Sequence, residues 1–338
     1  MHAPAGIYAH LDDLRLAGRD LSQAPGLTLT SVVHDEGWFL PAFLDHYRAL
    51  GVERFVLLDD RSSDGSRAYL AAQPDVMLVE SERRFGEPAF PAWRERPFSR
   101  IRMIHAWRTL LLQKFSMGRW SLLVDADEFL TLPAGMGLPD LVTRAEAAGG
   151  RAVPGVLLDL YPARIGDLDR PGAFDPESGW FFDGEPHLAL RPGARPLPLH
   201  PGARARLHSQ FGRGESGLRR TLRRWRHGTA YPRLNDCAKL VLLRWQPEDF
   251  LTESHWAALE VAEGMLLPVR HYKFTPDTPR RIARAMAERG YADGSAEYVR
   301  LAALLDRMRA RQAAFGYRRS RPVEGFARFA ETGNALLP

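Results

Sequence analysis

The sequence predicts an α/β protein built on a mostly parallel, doubly wound sheet with helices on both faces. Two observations support this prediction. From residue 27 to residue 160, short apolar runs alternate with segments of helical periodicity, which is typical of βαβ units. The apolar runs also end in polar residues, at the strand ends where such sheets bind ligands.

The elements follow one another in a regular order. Pro41 falls in the first turn of the first helix, where proline is tolerated, and Gly51 stands where a C-terminal cap belongs. Runs dominated by Val, Leu and Thr are the predicted strands, at 27–33, 54–59, 76–80, 120–124 and 153–160. Segments with apolar residues every three or four positions are the predicted helices, at 38–50, from the 62–66 turn to 72, 99–115 and 138–148.

Beyond residue 160 the pattern changes. Proline and glycine are dense up to about residue 200, so we expect a long irregular excursion there. After it we expect a short strand-like run near 203–208, a basic helix at 218–226, a strand at 239–243 and two helices within 277–312. The chain is thus predicted to have four parts, namely a lead-in (1–26), a core (27–160), a region that completes the site (161–276), and C-terminal helices with a tail (277–338).

Composition excludes several classes of protein. The 338 residues contain one cysteine, Cys237, so an internal disulfide framework and a multi-cysteine zinc site are excluded. No run of about 18 apolar residues predicts a membrane-spanning helix, and the N-terminus does not predict a secretory signal. Only three of the 46 basic residues are lysines. We attribute this skew to genomic base composition, and attraction to anionic partners is the alternative.

The strongest chemical signal is the segment Leu122–Phe129, which reads Leu-Leu-Val-Asp-Ala-Asp-Glu-Phe. An apolar strand delivers Asp125 and Asp127 into a turn, and strand alternation would point both carboxylates to one side. Hard cations such as Mg²⁺ or Mn²⁺ take a few carboxylate oxygens and complete their shell with water and substrate phosphates. The segment therefore predicts a divalent-metal site, with a capped, solvated turn as the alternative.

A second signal lies at residues 59–66, which read Asp-Asp-Arg-Ser-Ser-Asp-Gly-Ser. Asp59 and Asp60 end a strand, where carboxylates can accept hydrogen bonds from a base N–H or from ribose hydroxyls. Asp64 belongs to the turn that opens the next helix. All three are candidates for substrate binding. The alternative is turn chemistry alone, because Ser, Asp and Gly are the residues that turns and N-caps prefer.

These two motifs and the segment Ser31–Glu36, Ser-Val-Val-His-Asp-Glu, resemble in order and spacing the family 2 type of glycosyltransferases with a GT-A fold. The segment Glu36–Gly51 is similar to a branch of that superfamily whose first helix reads E-W-x-x-x-H-x-x-x-G. The resemblance covers residues 27–160 well. Beyond them only fragments are similar, at 202–206, 239–245, 254–255 and 271–274.

The resemblance implies a GT-A-like core that binds a nucleotide-diphosphate sugar, a bound Mn²⁺ or Mg²⁺, and an acceptor-binding region at 161–276. It implies transfer with inversion at the anomeric carbon. Asp125 would contact the ribose or the metal, and Asp127 the metal. Glu36, with Asp59 or Asp60, would bind the nucleoside.

One segment departs from the pattern of that family. Relatives often carry Asn or Lys before the glutamate that corresponds to Glu36, whereas this chain has His34 and Asp35 there. The role of Asp35 is therefore left open.

Inverting transfer needs a general base that deprotonates the attacking hydroxyl. In relatives this base is a carboxylate far downstream of the DxD motif, and no single residue of this chain is unambiguously equivalent. Glu215 and Asp236 are our candidates, beside Asp183 and Glu185, and each could instead be an ordinary surface carboxylate.

Two further pairs are candidates for phosphate binding. Arg204 and Arg206 are two apart in the strand-like run, so both side chains are expected on one side, where guanidinium groups suit phosphate. His271 and Lys273 alternate with aromatic residues and are similar to a segment of GT-A enzymes that returns to the diphosphate. We expect His271 to bind the metal or diphosphate and Lys273 to neutralise phosphate. For both pairs, solvated polar side chains are the alternative.

The predicted helix at 218–226 carries Leu218, Leu222 and Trp225 on one stripe and five arginines elsewhere. Such a basic amphipathic helix suits an anionic membrane surface. The alternative is a surface helix that packs its apolar stripe onto the domain.

We therefore expect a cytoplasmic, metal-dependent inverting glycosyltransferase of the hexosyltransferase class that transfers a sugar to a saccharide or lipid-linked acceptor. Peripheral contact with the inner face of the membrane is left open, and no nucleic-acid partner is expected, because no nucleic-acid-reading module is recognisable. The alternatives are a metal-dependent nucleotidyltransferase, which would attack phosphorus, and a non-catalytic module that binds nucleotide sugars.

Overall fold

The computed structural model describes residues 8–91, 101–170, 172–212, 221, 237–290 and 292–338. The chain divides into two compact units, each of which is assembled from separate stretches of sequence. Unit 1 consists of Met1–Phe129, Gly135–Pro154 and Lys239–Met265. Unit 2 consists of Leu130–Ala134, Gly155–Ala238 and Leu266–Pro338.

The strands of the described residues are numbered in chain order. They are β1 (Tyr8–Ala9), β2 (Arg15–Leu16), β3 (Leu27–Val33), β4 (Val52–Asp59), β5 (Val76–Glu80), β6 (Pro88–Pro91), β7 (Ile101–Arg102), β8 (Trp120–Leu123), β9 (Glu128–Leu130), β10 (Ala152–Asp159), β11 (Phe181–Asp183), β12 (Leu188–Arg191), β13 (Ala194–Pro198), β14 (Ala238–Arg244), β15 (Leu267–His271) and β16 (Ser320–Pro322).

The helices of the described residues are numbered in the same way. They are α1 (Leu40–Ala49), α2 (Ser66–Ala71), α3 (Met103–Phe115), α4 (Leu138–Ala147), α5 (Gly202–Phe211), α6 (Thr278–Glu288), α7 (Ala292–Ala310) and α8 (Phe326–Glu331), with short 3-10 helices at Leu11–Asp13 and Ile165–Asp169. None of them is long and apolar enough to cross a membrane.

The predicted α/β class, with a large and mainly parallel central sheet, is confirmed. Nine strands of the described residues form one sheet in the order β2-β5-β4-β3-β8-β14-β10-β15-β9. The pairs β5–β4, β4–β3, β3–β8 and β10–β15 are parallel. Antiparallel pairing occurs where β2 meets β5 and where β14 meets β8.

The centre of unit 1 is β3, which lies between the parallel strands β4 and β8. These strands read as nearly continuous apolar runs because helices shield such sheets on both faces. Helix α1 begins close to Pro41, as predicted, and buries Phe43 and Tyr47. It ends before Gly51, whose φ of +100° lies in the left-handed region that glycine tolerates.

Unit 2 contains the parallel pair β10–β15, in which Asp159 stands opposite His271. Its apolar core includes residues of α5, α6 and α7, among them Leu207, Ile282 and Leu304. Strands β11 and β16 pair antiparallel, and β12 and β13 form a hairpin. The segment that we predicted as an irregular excursion thus holds this hairpin and a 3-10 helix. The two helices predicted within 277–312 are confirmed as α6 and α7.

Two other predictions for the C-terminal half are not confirmed. The prediction of a strand-like run at 203–208 is wrong, because residues 202–211 form the helix α5. Ala203 and Leu207 lie on its buried side, four residues apart, and this helical spacing overrides the alternation of Ala and Arg. The basic helix predicted at 218–226 lies outside the described residues, apart from Thr221.

Candidate functional site

The strand order of unit 1 changes direction beside β3. From β3 the chain adds β4 and then β5 on one side, and it later places β8 on the other side. In open α/β sheets, the carboxyl ends of the strands at such a switch point form the crevice where ligands bind. His34 and Asp35 follow β3 at this edge, Asp60 follows β4, and Asp125 comes two residues after β8. The topology therefore brings these predicted residues to one edge of the sheet.

The DxD segment is a tight turn that is closed by two hydrogen bonds. The backbone N–H of Glu128 donates to the carbonyl of Asp125 (2.9 Å), and the backbone N–H of Asp125 donates to Oε2 of Glu128 (2.8 Å). Asp127 lies inside this turn and is only 4% exposed. The alternative of a solvated turn therefore does not describe Asp127, because its carboxylate is buried.

Two cations that the sequence analysis did not assign to the site face the turn. Lys239 of β14 is completely buried, and its Nζ donates to Oε2 of Glu128 (2.5 Å) and lies 3.6 Å from Oδ2 of Asp125. Arg108 of α3 donates from a terminal nitrogen to Oδ1 of Asp125 (2.5 Å). Burial works against ionisation of Asp125, but the charges of Arg108 and Lys239 outweigh it and hold its pKa below the ordinary value.

Arg108 is fixed from a second direction. Its other terminal nitrogen donates to the carbonyl of Ser254 (2.9 Å), and the Ser254 hydroxyl lies 3.0 Å from Nε2 of His105. The buried Nε of Arg108 has no acceptor among the described residues. The two terminal nitrogens of the guanidinium are therefore held in place by oxygens of Ser254 and Asp125, and N–H groups remain that suit the oxygen of an anionic ligand.

The donor set fits a divalent metal, but with fewer direct protein ligands than we predicted. Both oxygens of Asp125 face cations, so Asp125 is a poor direct ligand. The buried carboxylate of Asp127 is the oxygen donor that hard cations prefer. Mg²⁺ is typically bound through one or two carboxylates together with substrate phosphates. Asp127 would hold the metal, and nucleotide phosphates and water would complete its shell.

The ends of β3 and β4 are joined by a network around Asp35. Its backbone N–H donates to the Ser62 hydroxyl (2.9 Å), and its Oδ1 accepts from the backbone N–H groups of Ser63 (2.5 Å) and Asp64 (3.2 Å). Asp35 and Arg61 both have a positive φ, of 52° and 57°, a conformation that is uncommon outside glycine. Asp35, whose role the sequence left open, therefore fixes the two strand ends relative to each other.

The other acids at this edge have protein partners. Asp64 accepts from the backbone N–H of Gly37 (3.0 Å) and from the hydroxyl of Ser66 (2.6 Å). Asp59 is buried, accepts from the backbone N–H of Ser62 (3.3 Å) and lies 3.5 Å from Arg67. For Asp59 and Asp64, turn chemistry accounts for these contacts, and their role in substrate binding stays a prediction.

Asp60 and Glu36 are also buried at this edge. Oδ2 of Asp60 accepts from the backbone N–H of Phe85 (3.1 Å), and Arg84 lies 3.4 Å from Oδ1. Burial raises the pKa of Asp60 above its ordinary value. Glu36 is buried at the start of α1, where its carbonyl accepts from the backbone N–H groups of Phe39 and Leu40.

A second group of charged residues lies within unit 2. Asp159, at the end of β10, accepts from Nδ1 of His271 (2.7 Å) and from Nε of Arg204 (2.9 Å). Arg204 also forms an ion pair with Glu297. Burial opposes ionisation of Asp159, but Arg204 and His271 outweigh it and hold its pKa well below the usual range. Burial opposes ionisation of Glu297, but the charges of Arg204 and then Lys273 outweigh it and lower the pKa of that carboxyl.

This arrangement revises what we expected of the two arginines. Arg204 and Arg206 are on a helix and have different partners. Nε and a terminal nitrogen of Arg206 both donate to Asp183 (2.8 Å each), and both side chains are fully buried. Each arginine therefore already balances a carboxylate. The role of His271 toward a metal or diphosphate and that of Lys273 toward phosphate stay predictions.

The candidates for the general base have different outcomes. Asp183 is held by Arg206 and by the Tyr161 hydroxyl (2.7 Å), so it is neither exposed nor available as a base. Glu185 accepts a hydrogen bond from the Tyr317 hydroxyl and lies 3.4 Å from Arg319. Glu215 and Asp236 lie outside the described residues.

Comparisons with known proteins leave the family open. No protein-family model matches the chain, and no curated protein matches it. Among solved structures, the chain is similar to a UTP-bound UGPase from Acinetobacter baumannii, with 12% identity and a TM-score of 0.23. The match covers 47% of this chain and 65% of that chain, which is slightly less than two thirds of its length. At this identity and TM-score, the likeness decides nothing about the activity of this chain.

Proposed function

We propose that this protein is a metal-dependent inverting glycosyltransferase that moves a sugar from a nucleotide-diphosphate donor to a hydroxyl of a saccharide or lipid-linked acceptor. The observation that supports it best is the Asp125–Glu128 turn at the switch point of the sheet, in which Asp127 and Glu128 are buried and Arg108 and Lys239 lie beside the turn. The motifs that resemble family 2 glycosyltransferases lie at this edge. The family resemblance supplies the reaction type, and the geometry supplies the charges that such a reaction needs.

The edge formed by β3, β4 and β8 provides distinct surroundings for the parts of such a donor. Asp60 and Glu36 are the proposed partners of the nucleoside, because buried carboxylates accept hydrogen bonds from base N–H groups and ribose hydroxyls. The DxD turn is the proposed site of the diphosphate and its metal. The network around Asp35 holds the ends of β3 and β4 in fixed register, which preorganises the nucleoside part of the site before the donor binds.

Transfer leaves a nucleoside diphosphate whose negative charge must be stabilised as the glycosidic bond breaks. Asp127 would hold a metal, which would supply Lewis-acid stabilisation of that leaving group. Asp125 is held in its ionised form by Arg108 and Lys239, so it stays an acceptor for a ribose hydroxyl. Arg108 would donate one of its remaining N–H groups toward a phosphate oxygen. Glu215 and Asp236 remain the proposed bases that deprotonate the acceptor hydroxyl.

Assays of purified protein with a panel of nucleotide sugars test this function. Thermal stabilisation by each donor, with and without Mn²⁺, identifies the nucleotide, since a ligand at a hundredfold excess over its Kd stabilises by about 2.7 kcal/mol. Mass spectrometry then identifies the product that is released. Release of a nucleoside diphosphate supports glycosyl transfer, whereas release of pyrophosphate from a nucleoside triphosphate and a sugar phosphate would show nucleotidyl transfer. Binding without turnover of any acceptor would favour the non-catalytic module.

A further inference from the structure

We propose that Lys239 is a positioning residue for the DxD turn. It closes the turn through Glu128, and it thereby sets where Asp127 presents its carboxylate. The inference rests on the proposed function, because it assigns to Lys239 a part in binding the metal and the diphosphate. Lys239 itself need not touch either ligand.

The geometry places one ammonium group at both ends of the turn. Oε2 of Glu128 accepts from Nζ of Lys239 (2.5 Å) and from the backbone N–H of Asp125 (2.8 Å). The same Nζ lies 3.6 Å from Oδ2 of Asp125. Asp125 and Glu128 are the first and last residues of the turn, and Asp127 lies between them. Lys239 therefore acts on Asp127 through the shape of the turn.

Burying the charges of Lys239 and Glu128 costs free energy, which indicates that this ion pair does more than stabilise the fold. Lys239 is completely buried and Glu128 is 1% exposed. The desolvation of a buried ion pair often cancels its attraction, and an apolar pair of similar volume is often as stable. The neighbours of Lys239 along β14, from Leu240 to Leu243, are all buried and apolar. An apolar residue would therefore suit this strand position if packing were its whole task.

The type of cation also fits this role. The chain has 43 arginines and three lysines, yet a lysine occupies the position between two carboxylates. An ammonium is a compact point charge with three donors, whereas guanidinium is a planar fork. The compact group can approach Glu128 and Asp125 together. Arg108 meets the same carboxylate of Asp125 from the other side.

The consequence is a specific loss of metal affinity when the pair is removed. Residues that orient metal ligands typically change metal affinity or activity by 10- to 100-fold when they are replaced. We therefore expect the double variant Lys239→Met/Glu128→Leu to bind Mn²⁺ at least tenfold more weakly in the presence of UDP. The double variant removes both charges together, so neither partner is left buried and unpaired.

A matched control is the pair Arg151–Asp249, which is also largely buried in unit 1 and joined at 2.8 Å. Arg151 also contacts the carbonyl of Arg244, which pairs with Trp120 at the amino end of β8, away from the DxD turn. The variant Arg151→Met/Asp249→Leu removes a comparable pair at the opposite edge of the sheet. We expect its Mn²⁺ and UDP affinities to stay within twofold of wild type.

The experiment measures free Mn²⁺ by electron paramagnetic resonance and UDP binding by calorimetry, with folding checked by circular dichroism. A folded Lys239→Met/Glu128→Leu variant with wild-type affinity for Mn²⁺ in the presence of UDP overturns the inference.

If that variant does not fold, Glu128→Gln takes its place, because it keeps the side-chain shape and weakens only the ion pair. Weaker Mn²⁺ binding by that variant then supports the inference, and unchanged binding overturns it. A wild-type protein that binds neither Mn²⁺ nor UDP would overturn the proposed function itself, and the inference with it.

Discussion

Asp159 and His271 stand opposite each other at the ends of two parallel strands, and Nδ1 of His271 lies 2.7 Å from Oδ1 of Asp159. The other oxygen of this carboxylate accepts from Arg204 (2.9 Å). One buried acid thus joins β10, β15 and α5 within unit 2. Its ionisation state should matter for the stability of that unit.

We expect Asp159→Asn to lower the free energy of unfolding by about 3 kcal/mol at pH 7, the low end for a broken buried ion pair. Arg204 keeps Glu297 as a partner, which limits the loss. Because the folded-state pKa of Asp159 is depressed, its contribution is present above its unfolded pKa of about 4 and is lost as the pH falls below it. Urea unfolding between pH 7 and pH 3 should show a shallower pH dependence for the variant. An equal slope in both proteins would contradict this.

His200 should cause a second pH dependence of stability, at higher pH than that of Asp159. Burial, with the nearby charge of His187, lowers its pKa to about 4. The unfolded chain therefore takes up a proton below about pH 6.5, whereas the folded chain does so only near pH 4. Stability should fall across that window by up to about 3 kcal/mol. His200→Gln should reduce this slope, as measured by thermal unfolding at pH 7.5, 5.5 and 4.5, while His208, whose pKa is also lowered by burial, keeps part of it. His10→Gln, at an exposed position, is the control and should keep the slope.

Asp127→Ala should abolish metal-dependent nucleotide binding and lower turnover at least about a hundredfold, because a bound metal supplies several kcal/mol of charge stabilisation. The fold should be retained, since the two hydrogen bonds that close the turn involve Asp125 and Glu128. Asp45→Ala on α1 is a matched control, because its side chain is exposed. Calorimetry with UDP and Mn²⁺ measures the effect, and undiminished binding by Asp127→Ala would rule out its role.

Replacement of Arg206 should lower the stability of the fold and have no direct effect on phosphate binding. Arg206→Met leaves Asp183 buried without its cation and should cost about 3–5 kcal/mol. The double variant Arg206→Met/Asp183→Leu should recover much of this loss, because no unpaired charge then remains. Urea unfolding of both variants gives the comparison. A single variant as stable as wild type would show that the pair is not structural.

The elements around the switch point could be predicted because local patterns determine them. The predicted bounds of β3 (Leu27–Val33) and β5 (Val76–Glu80) coincide with those in the structure. Each is a short apolar run that is bounded by turn residues, so its neighbours in sequence carry the signal. The acids that follow β3, β4 and β8 could be placed for the same reason, since parallel strands bring their carboxyl ends to one edge.

Arg204 and Arg206 show where a local pattern misleads. The run Gly-Ala-Arg-Ala-Arg has a period of two, which favours a strand. Ala203, Leu207 and Phe211 recur every four residues, and these residues belong to or pack against the core of unit 2. The helical period extends over a longer stretch than the alternation, and it was the better guide to the fold.

Arg108 and Lys239 could not have been assigned to the site from local patterns. Their partners Asp125 and Glu128 are 17 and 111 residues away along the chain, so only the topology brings them together. A weak signal for Lys239 did exist, because a lysine in an apolar strand is unexpected when 43 of 46 basic residues are arginines. Asp35 departs from the pattern of the glycosyltransferases that the sequence resembles, and its bonding to the turn after β4 is visible only in three dimensions.

Unit 1 is assembled from separate stretches of the chain, and this has a consequence during synthesis. Glu128 leaves the ribosome 111 residues before Lys239, which at 5–20 residues per second is a delay of about 6–22 s. During that time the acidic turn has no lysine to close it, and the strand β14 that pairs with β8 has not yet been synthesised. The nascent edge of β8 is therefore an open strand edge for several seconds. Completion of the candidate site is thus tied to late synthesis, and chains that stop before residue 239 should expose that edge to chaperones or to aggregation.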